Sequence, residues 1–213
     1  MNQVLDNNKV GAVGEYIKNH TLHDADITVS SPIFTIYAFE ELREVLERSG
    51  KFRFLFNEPT FIKKIITNDK EVREFQLQMQ QRERNVSEFA LEIGLKNNLD
   101  QNQIASKCYQ FIKGKGEVKS VIKSGTVTPN NILVENKNEN DYLISGSNIS
   151  FSKDGLGYTH EIRFDFNTVS DEKQMINQYL QFFNTIFSNE DIVVDVKEEL
   201  LKHLSNLYRE NSR

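Results

Sequence analysis

A strand, a helix and a second strand follow one another closely in the first quarter of the chain. Residues 25–31 alternate in polarity and are rich in β-branched side chains, which predicts a strand. Apolar residues at helical spacing run from Phe39 to Leu46, and Ser49-Gly50 ends that helix. Residues 52–56 are again strand-like. Because two strands joined by a helix pair in parallel through a right-handed crossover, the sequence predicts an α/β fold.

The rest of the chain continues this mixture of helices and strands. A polar turn between two of the strands is typical of a hairpin, and the closing helices are amphipathic. We therefore expect a mixed, mostly parallel sheet with helices on both faces. The predicted elements are one kinked helix or two helices over 69–97, a helix at 100–113, strands at 117–123, 131–136, 141–146 and 161–166, a helix capped by Ser170-Asp171-Glu172, and a final helix from Val196 to Leu207.

Composition excludes several classes of protein. The net charge of −5 over 213 residues argues against a uniformly basic nucleic-acid coat, although a local basic patch stays possible. A single cysteine, Cys108, excludes an intramolecular disulfide framework and a cysteine-rich zinc site. Apolar runs are too short for a membrane span, and residues 1–8 resemble neither a signal nor a transit peptide. We expect a cytoplasmic protein with no membrane contact and no cofactor.

The histidines give little indication of a metal. His20 and His23 have a spacing that could bind a metal on a helix, but they precede a predicted strand and fit a polar helix end better. His203 fits the surface of the last helix. The chain also lacks the Gly-x-x-x-x-Gly-Lys-Ser/Thr loop of ATP-binding motors. We expect no metal site and no ATPase activity in these residues.

The segment from 126 to 161 carries the most informative motif. A hairpin over 131–146 ends in Gly146-Ser147-Asn148, and Glu161 follows downstream. This order resembles the second half of the phospholipase D superfamily signature, in which His-x-Lys on a strand precedes a hairpin, Gly-Ser-Asn and a Glu. The opening 25–59 also resembles that family, in particular the module that precedes the motor of bacterial superfamily 2 (Swi/Snf-type) helicases and restriction-type systems.

The resemblance implies a domain organisation and partners. Residues 1–190 would form a phospholipase D-like domain with a helical insert at about 69–113. Residues 191–213 would form a C-terminal helix that connects the domain to a helicase motor in the same or a partner chain. Chains with one copy of the motif usually form homodimers, so a homodimer is expected, with DNA as a further possible partner.

The catalytic residues of the family are carried over one by one. Asn148, Ser147 and Glu161 match the motif Asn, Ser and Glu, whereas Thr128 stands where His is expected and Asn130 where Lys is expected. In the family, His attacks the phosphorus, Lys and Asn hold the phosphate oxygens, and Glu orients the imidazole. Thr cannot replace the imidazole, and Asn has no fixed positive charge. The resemblance therefore implies a vestigial, catalytically inactive pocket.

Two other interpretations of the motif stay open. His160 could act as a nucleophile, although it neighbours Glu161 and adjacent strand residues face opposite sides. Such a site would make the chain an active, metal-independent phosphodiesterase or nuclease. Alternatively, residues 146–148 could be an ordinary strand-to-loop turn in which Ser and Asn bond to the local backbone.

Lysines precede the motif strand. Lys115, Lys119 and Lys123 form a basic stretch with Lys113 and are candidate phosphate contacts. The same pattern also fits a solvated surface. A third function, a protein-interaction module that docks through the insert at 69–113, would need no DNA contact.

Overall fold

A computed structural model describes residues 3–62, 98–127, 129–137, 140–159 and 164–210. The predicted helices over 69–97 therefore lie outside the described residues. The described elements, in chain order, are β1 (Gln3–Leu5), α1 (Val13–His20), β2 (Asp26–Ser31), α2 (Ile36–Glu47), β3 (Phe52–Phe56), α3 (Asn98–Lys115), β4 (Gly116–Val121), β5 (Asn131–Glu135), β6 (Tyr142–Ser145), β7 (Asn167–Ser170), α4 (Lys173–Phe187), β8 (Val193–Asp195) and α5 (Lys197–Glu210).

The described strands form one eight-stranded sheet in the order β1-β7-β6-β5-β2-β3-β4-β8. β2 and β3 pair in parallel, with Ile27 opposite Phe52, so the predicted crossover pair and the mixed α/β class are confirmed. The expectation of a mostly parallel sheet is wrong, because only β2–β3 and β3–β4 are parallel among the described pairs. After β4 no described helix separates β5, β6 and β7, and strands joined without a crossover helix pair antiparallel.

One predicted strand is misplaced. The expected strand at 161–166 is not seen at 164–166, where Phe164 and Phe166 are exposed and Asp165 is buried; residues 161–163 lie outside the described part. The strand β7 begins afterwards, over the residues that precede the predicted helix cap. Its Val169 is buried in the core and sits opposite Ile144 of β6. Pairing with β6 therefore forms the strand at Asn167–Ser170, where the alternation of apolar residues is weaker than at 161–166.

The larger apolar cluster lies between the sheet and the helices α1, α2, α3 and α5. Its centre is aromatic: Phe54 of β3 makes edge contacts with Phe34, Phe56 and Phe151, at centroid distances of 5.2, 4.8 and 5.8 Å. Such edge-to-face pairs stabilise a core by about 0.5–1.5 kcal/mol each beyond the burial of their area. The phenylalanines thus serve as the large core residues of a chain that has no Trp.

The second apolar cluster lies on the opposite face, beneath α4. Leu55, Leu133 and Leu143 of the sheet pack with residues of α4 such as Ile176 and Phe183. Neighbouring strand residues such as Phe54 and Leu55 enter different clusters because successive side chains point to opposite faces. Helices therefore cover both faces, as predicted.

Residues 193–210 also belong to this architecture. β8 adds an edge strand to β4, and α5 packs against α3 through buried Leu200, Leu201 and Leu204. The domain boundary at 190 and the connector role of the last helix stay predictions. Among the described helices, none is long and apolar enough to cross a membrane.

Candidate functional site

The strand directions bring several loops to one edge of the sheet. β2 and β3 are parallel, β5 runs against β2, and β6 runs against β5. The carboxyl ends of β2, β3 and β6 therefore meet the amino end of β5. Residues that follow or precede these ends include Asn57, Asn130, Ser147 and Asn148. This polar edge is where the structure gathers the described residues of the candidate site.

Asn130 is held by hydrogen bonds on both sides of its amide. Asn57 Nδ2 donates to Asn130 Oδ1 at 2.7 Å and to the Pro129 carbonyl at 3.1 Å. Asn130 Nδ2 donates in turn to the Ser147 carbonyl at 3.0 Å. Ser30 Oγ donates to the Pro129 carbonyl at 3.0 Å, which anchors the same loop from β2. The position matched to the family Lys is thus part of a neutral amide network.

Asn148 contacts a carboxylate that the sequence did not single out. Asn148 Nδ2 donates to Asp165 Oδ1 at 2.8 Å, and Asn7 Nδ2 donates to Asp165 Oδ2 at 2.8 Å. Asp165 is 6% exposed, and each of its carboxylate oxygens accepts a hydrogen bond from one amide. Phe164 and Phe166, on either side of Asp165, are exposed.

The loop that presents Asn7 is ordered by Asp6. Asp6 Oδ1 accepts the backbone N–H groups of Asn8 and Val10 at 2.9 Å each, and that of Gly11 at 3.3 Å. Desolvation opposes the effect, but these hydrogen bonds lower the pKa of the Asp6 carboxyl. Asn7 itself has a φ of 55°, a left-handed conformation that Asn tolerates better than most residues. The loop therefore aims the Asn7 amide at Asp165.

Gly146 has a packing role beside this site. A Cβ at this position would overlap the side-chain oxygen of Asn167, which is fully buried in β7. The glycine of the Gly-Ser-Asn motif is therefore required by local packing. The close approach of Gly146 to Asn167 agrees with the interpretation of the motif as a strand-to-loop turn.

The structure brings together only part of the predicted site. Asn130, Ser147 and Asn148 lie at the polar edge, with Asn130 bonded to the Ser147 backbone. Thr128 and Glu161 lie outside the described residues, and so does His160. The convergence of these residues on one pocket therefore stays a prediction.

The candidate phosphate-binding lysines are engaged in two different places. Lys115 Nζ donates to the carbonyls of Glu47 and Ser49 at 2.6 Å each, at the end of α2. Lys119 Nζ donates to the Phe187 carbonyl at 2.7 Å, at the end of α4 on the opposite face. Both ammonium groups complement the negative ends of helix dipoles. Lys123 is exposed beyond the end of β4.

The chemistry of the polar edge follows from these side chains. The hydrogen-bonded residues named above at this edge offer amides, hydroxyls and the Asp165 carboxylate, and none of them is an imidazole, an ammonium or a guanidinium. Such a set can hydrogen-bond a ligand, but neutral amides neither transfer protons nor attack phosphorus. Within the described part of the chain, no group of three His, Cys, Asp or Glu side chains could hold a metal ion.

Comparison with known proteins gives a likeness in fold. No family model and no curated protein matches the chain. The crystal structure of phosphatidylserine synthase from Haemophilus influenzae Rd KW20 is similar, with a TM-score of 0.51 and 10% identity, over 98% of this chain and 43% of that one. TrmBL2, an archaeal chromatin protein, has a TM-score of 0.42 and 10% identity, over 86% of this chain and 50% of that one. This chain thus spans half or less of each solved structure. At 10% identity, the likeness to the synthase is one of fold alone.

The contacts of the lysines predict different effects of removing their charge. Lys119→Met should lower the free energy of unfolding by about 1 kcal/mol, because the Phe187 carbonyl loses a charged donor. Lys123→Met is the matched control and should change stability by less than about 0.5 kcal/mol, since Lys123 is exposed. Urea unfolding measures both. Equal effects of the two substitutions would contradict the assigned contact.

Asp165 should be required for the stability of the polar edge. Asp165→Asn replaces one of the two accepting oxygens by an NH2 group, which then faces the donor amide of Asn7 or Asn148. The substitution should lower the free energy of unfolding by about 1–3 kcal/mol. Asp191→Asn, at an exposed position, is the control and should be nearly neutral. Chemical unfolding of the three proteins tests this expectation, which fails if Asp165→Asn is as stable as the parent.

Proposed function

We propose that this chain is a catalytically inactive phospholipase D-like module. The observation that carries the proposal is the hydrogen bonding of Asn130, which stands at the position of the family Lys. Its amide accepts from Asn57 and donates to the Ser147 carbonyl, so both of its polar groups are used within the protein. The Lys of the family would place a positive charge there, and an amide supplies only dipoles. Loss of one member of a cooperative catalytic set removes most of the activity.

The proposed role of the module is to position DNA, or to pair two copies, for a helicase or a restriction-type system. The exposed aromatics at the polar edge support a DNA contact. Phe164 and Phe166 are 68% and 73% exposed on either side of Asp165, whose carboxylate is bonded to Asn148. Exposed aromatic rings are platforms on which the bases of single strands stack. Since Lys115 and Lys119 are engaged at helix ends, stacking would contribute more to such binding than charge.

Two alternatives have weaker support from the described residues. An active, metal-independent phosphodiesterase would need His160, and a protein-interaction module would use the insert at about 69–113. His160 and residues 69–97 lie outside the described part of the chain. The polar edge, which is described, favours the inactive module.

The inactive module should not cleave phosphodiesters. Incubation with radiolabelled single- and double-stranded DNA in EDTA should give no products above a buffer control, because the described polar edge offers no imidazole to attack the phosphorus. A metal-independent nuclease serves as the positive control. Cleavage that His160→Ala abolishes would establish the active alternative and refute the proposal.

DNA binding should depend on the exposed phenylalanines. The double substitution Phe164→Ala and Phe166→Ala should weaken binding of a fluorescent single-stranded oligonucleotide by about thirtyfold or more, since stacking contributes about 1–3 kcal/mol per base and two platforms are lost. Leu22→Ala, at another exposed apolar residue, is the control and should bind like the parent. Unchanged anisotropy titrations of the double variant would argue against DNA positioning at this edge.

A further inference from the structure

Phe164 and Phe166 lie on one side of an anchored segment. Both rings are exposed, whereas Asp165 between them is buried. This alternation is that of an extended chain, in which residues two apart point to the same side. Asp165 fixes the segment from the opposite side, because its backbone N–H donates to the Asp6 carbonyl at 3.0 Å and its carboxylate accepts two amide hydrogen bonds. The backbone that presents the two rings is therefore held in place before any ligand binds.

The spacing of the two rings matches the thickness of one planar group. An extended chain rises about 3.4 Å per residue, so the Cα atoms of Phe164 and Phe166 are separated by about 7 Å. Successive bases of a strand stack about 3.4 Å apart. A base that stacks on a ring at each of its faces therefore needs two rings separated by about 7 Å. The two side chains are thus spaced to enclose a single base.

The charges around this segment disfavour a contact with phosphates. Two described loops adjoin it, one with Asp6 and Lys9 and the other with Lys153 and Asp154. Lys153 forms an ion pair with α2 at 2.9 Å. The carboxylates of Asp6, Asp154 and Asp165 then stand against the ammonium group of Lys9. Because the described groups beside the rings carry no excess of positive charge, binding there would release few counterions from a nucleic acid.

We propose that Phe164 and Phe166 form a clamp for one unpaired nucleobase, which stacks on a ring at each face and is held with little contribution from phosphates. The inference rests on the proposed function, because it takes DNA as the ligand of the polar edge, and it names the part of the DNA that is recognised. A base inside a duplex is paired and stacked, so it enters the clamp only at the cost of unpairing. Single strands are therefore the preferred ligand.

Fluorescent pentanucleotides with abasic positions test the clamp by anisotropy. A strand that is abasic except for one central thymine should bind within about fivefold of the all-thymine strand, which offers more equivalent bases. A fully abasic strand should bind at least about tenfold more weakly, since stacking contributes about 1–3 kcal/mol per base. Raising the salt concentration from about 50 to 200 mM should weaken binding less than about threefold, whereas six phosphate contacts would weaken it about a thousandfold.

Single substitutions assign the clamp to the two rings. Phe164→Ala and Phe166→Ala should each weaken binding of the one-thymine strand at least about tenfold, and Leu22→Ala, at another exposed apolar residue, should bind like the parent. Circular dichroism checks that each variant is folded. If the all-thymine strand binds through the two rings while the one-thymine strand binds no better than the abasic strand, the clamp is overturned and DNA positioning stands. An abasic strand that binds as tightly as the all-thymine strand also overturns the clamp, and a parent that binds no strand overturns both proposals.

Discussion

The direction of β2 relative to its two neighbours brings several polar loops of this protein to one edge of the sheet. β2 is parallel to β3 and antiparallel to β5, so the sheet changes from parallel to antiparallel at this strand. Loops that are far apart in sequence consequently meet at one edge. Asn57 follows β3 and Asn130 precedes β5, yet their side chains are 2.7 Å apart. Ser30, at the end of β2 itself, bonds to the same loop.

The described helices cover the two faces of the sheet unequally. Four described helices cover the face on which the aromatic cluster lies, whereas α4 alone packs on the other cluster. A helix that packs on a sheet between two other helices contacts a helix on each side. Among the described residues, α4 has no neighbouring helix on that face. Its apolar side chains Met175 and Phe182 lie outside its contact with the sheet and are partly exposed. The exposure of these residues follows from the unequal coverage.

Local patterns determined the parts of the fold that the sequence could predict. The strands at 25–31 and 52–56 and the helix between them, which is α2, have clear local patterns, and the crossover rule predicted that the two strands pair in parallel. The polar edge was only partly predictable. The Asp165 contacts join Asn7 to the segment before β7, and Lys119 reaches Phe187 across the sheet. No local pattern encodes such contacts: the alternation at 161–166 predicts a strand that residues 164–166 do not form, and the spacing of the lysines does not indicate the carbonyls that Lys115 and Lys119 contact.

The amide at position 130 has a structural consequence beyond the missing charge. An Asn both donates and accepts, which allows Asn130 to join Asn57 on one side to the Ser147 backbone on the other. A Lys has three donors and no acceptor, so Asn57 Nδ2 would keep only the Pro129 carbonyl. The Nδ2 group of the buried Asn57 would then lose the oxygen at position 130 as an acceptor and would face the ammonium group of the Lys, which is also a donor. The amide of Asn130 thus holds two of the protein's own loops together at this edge.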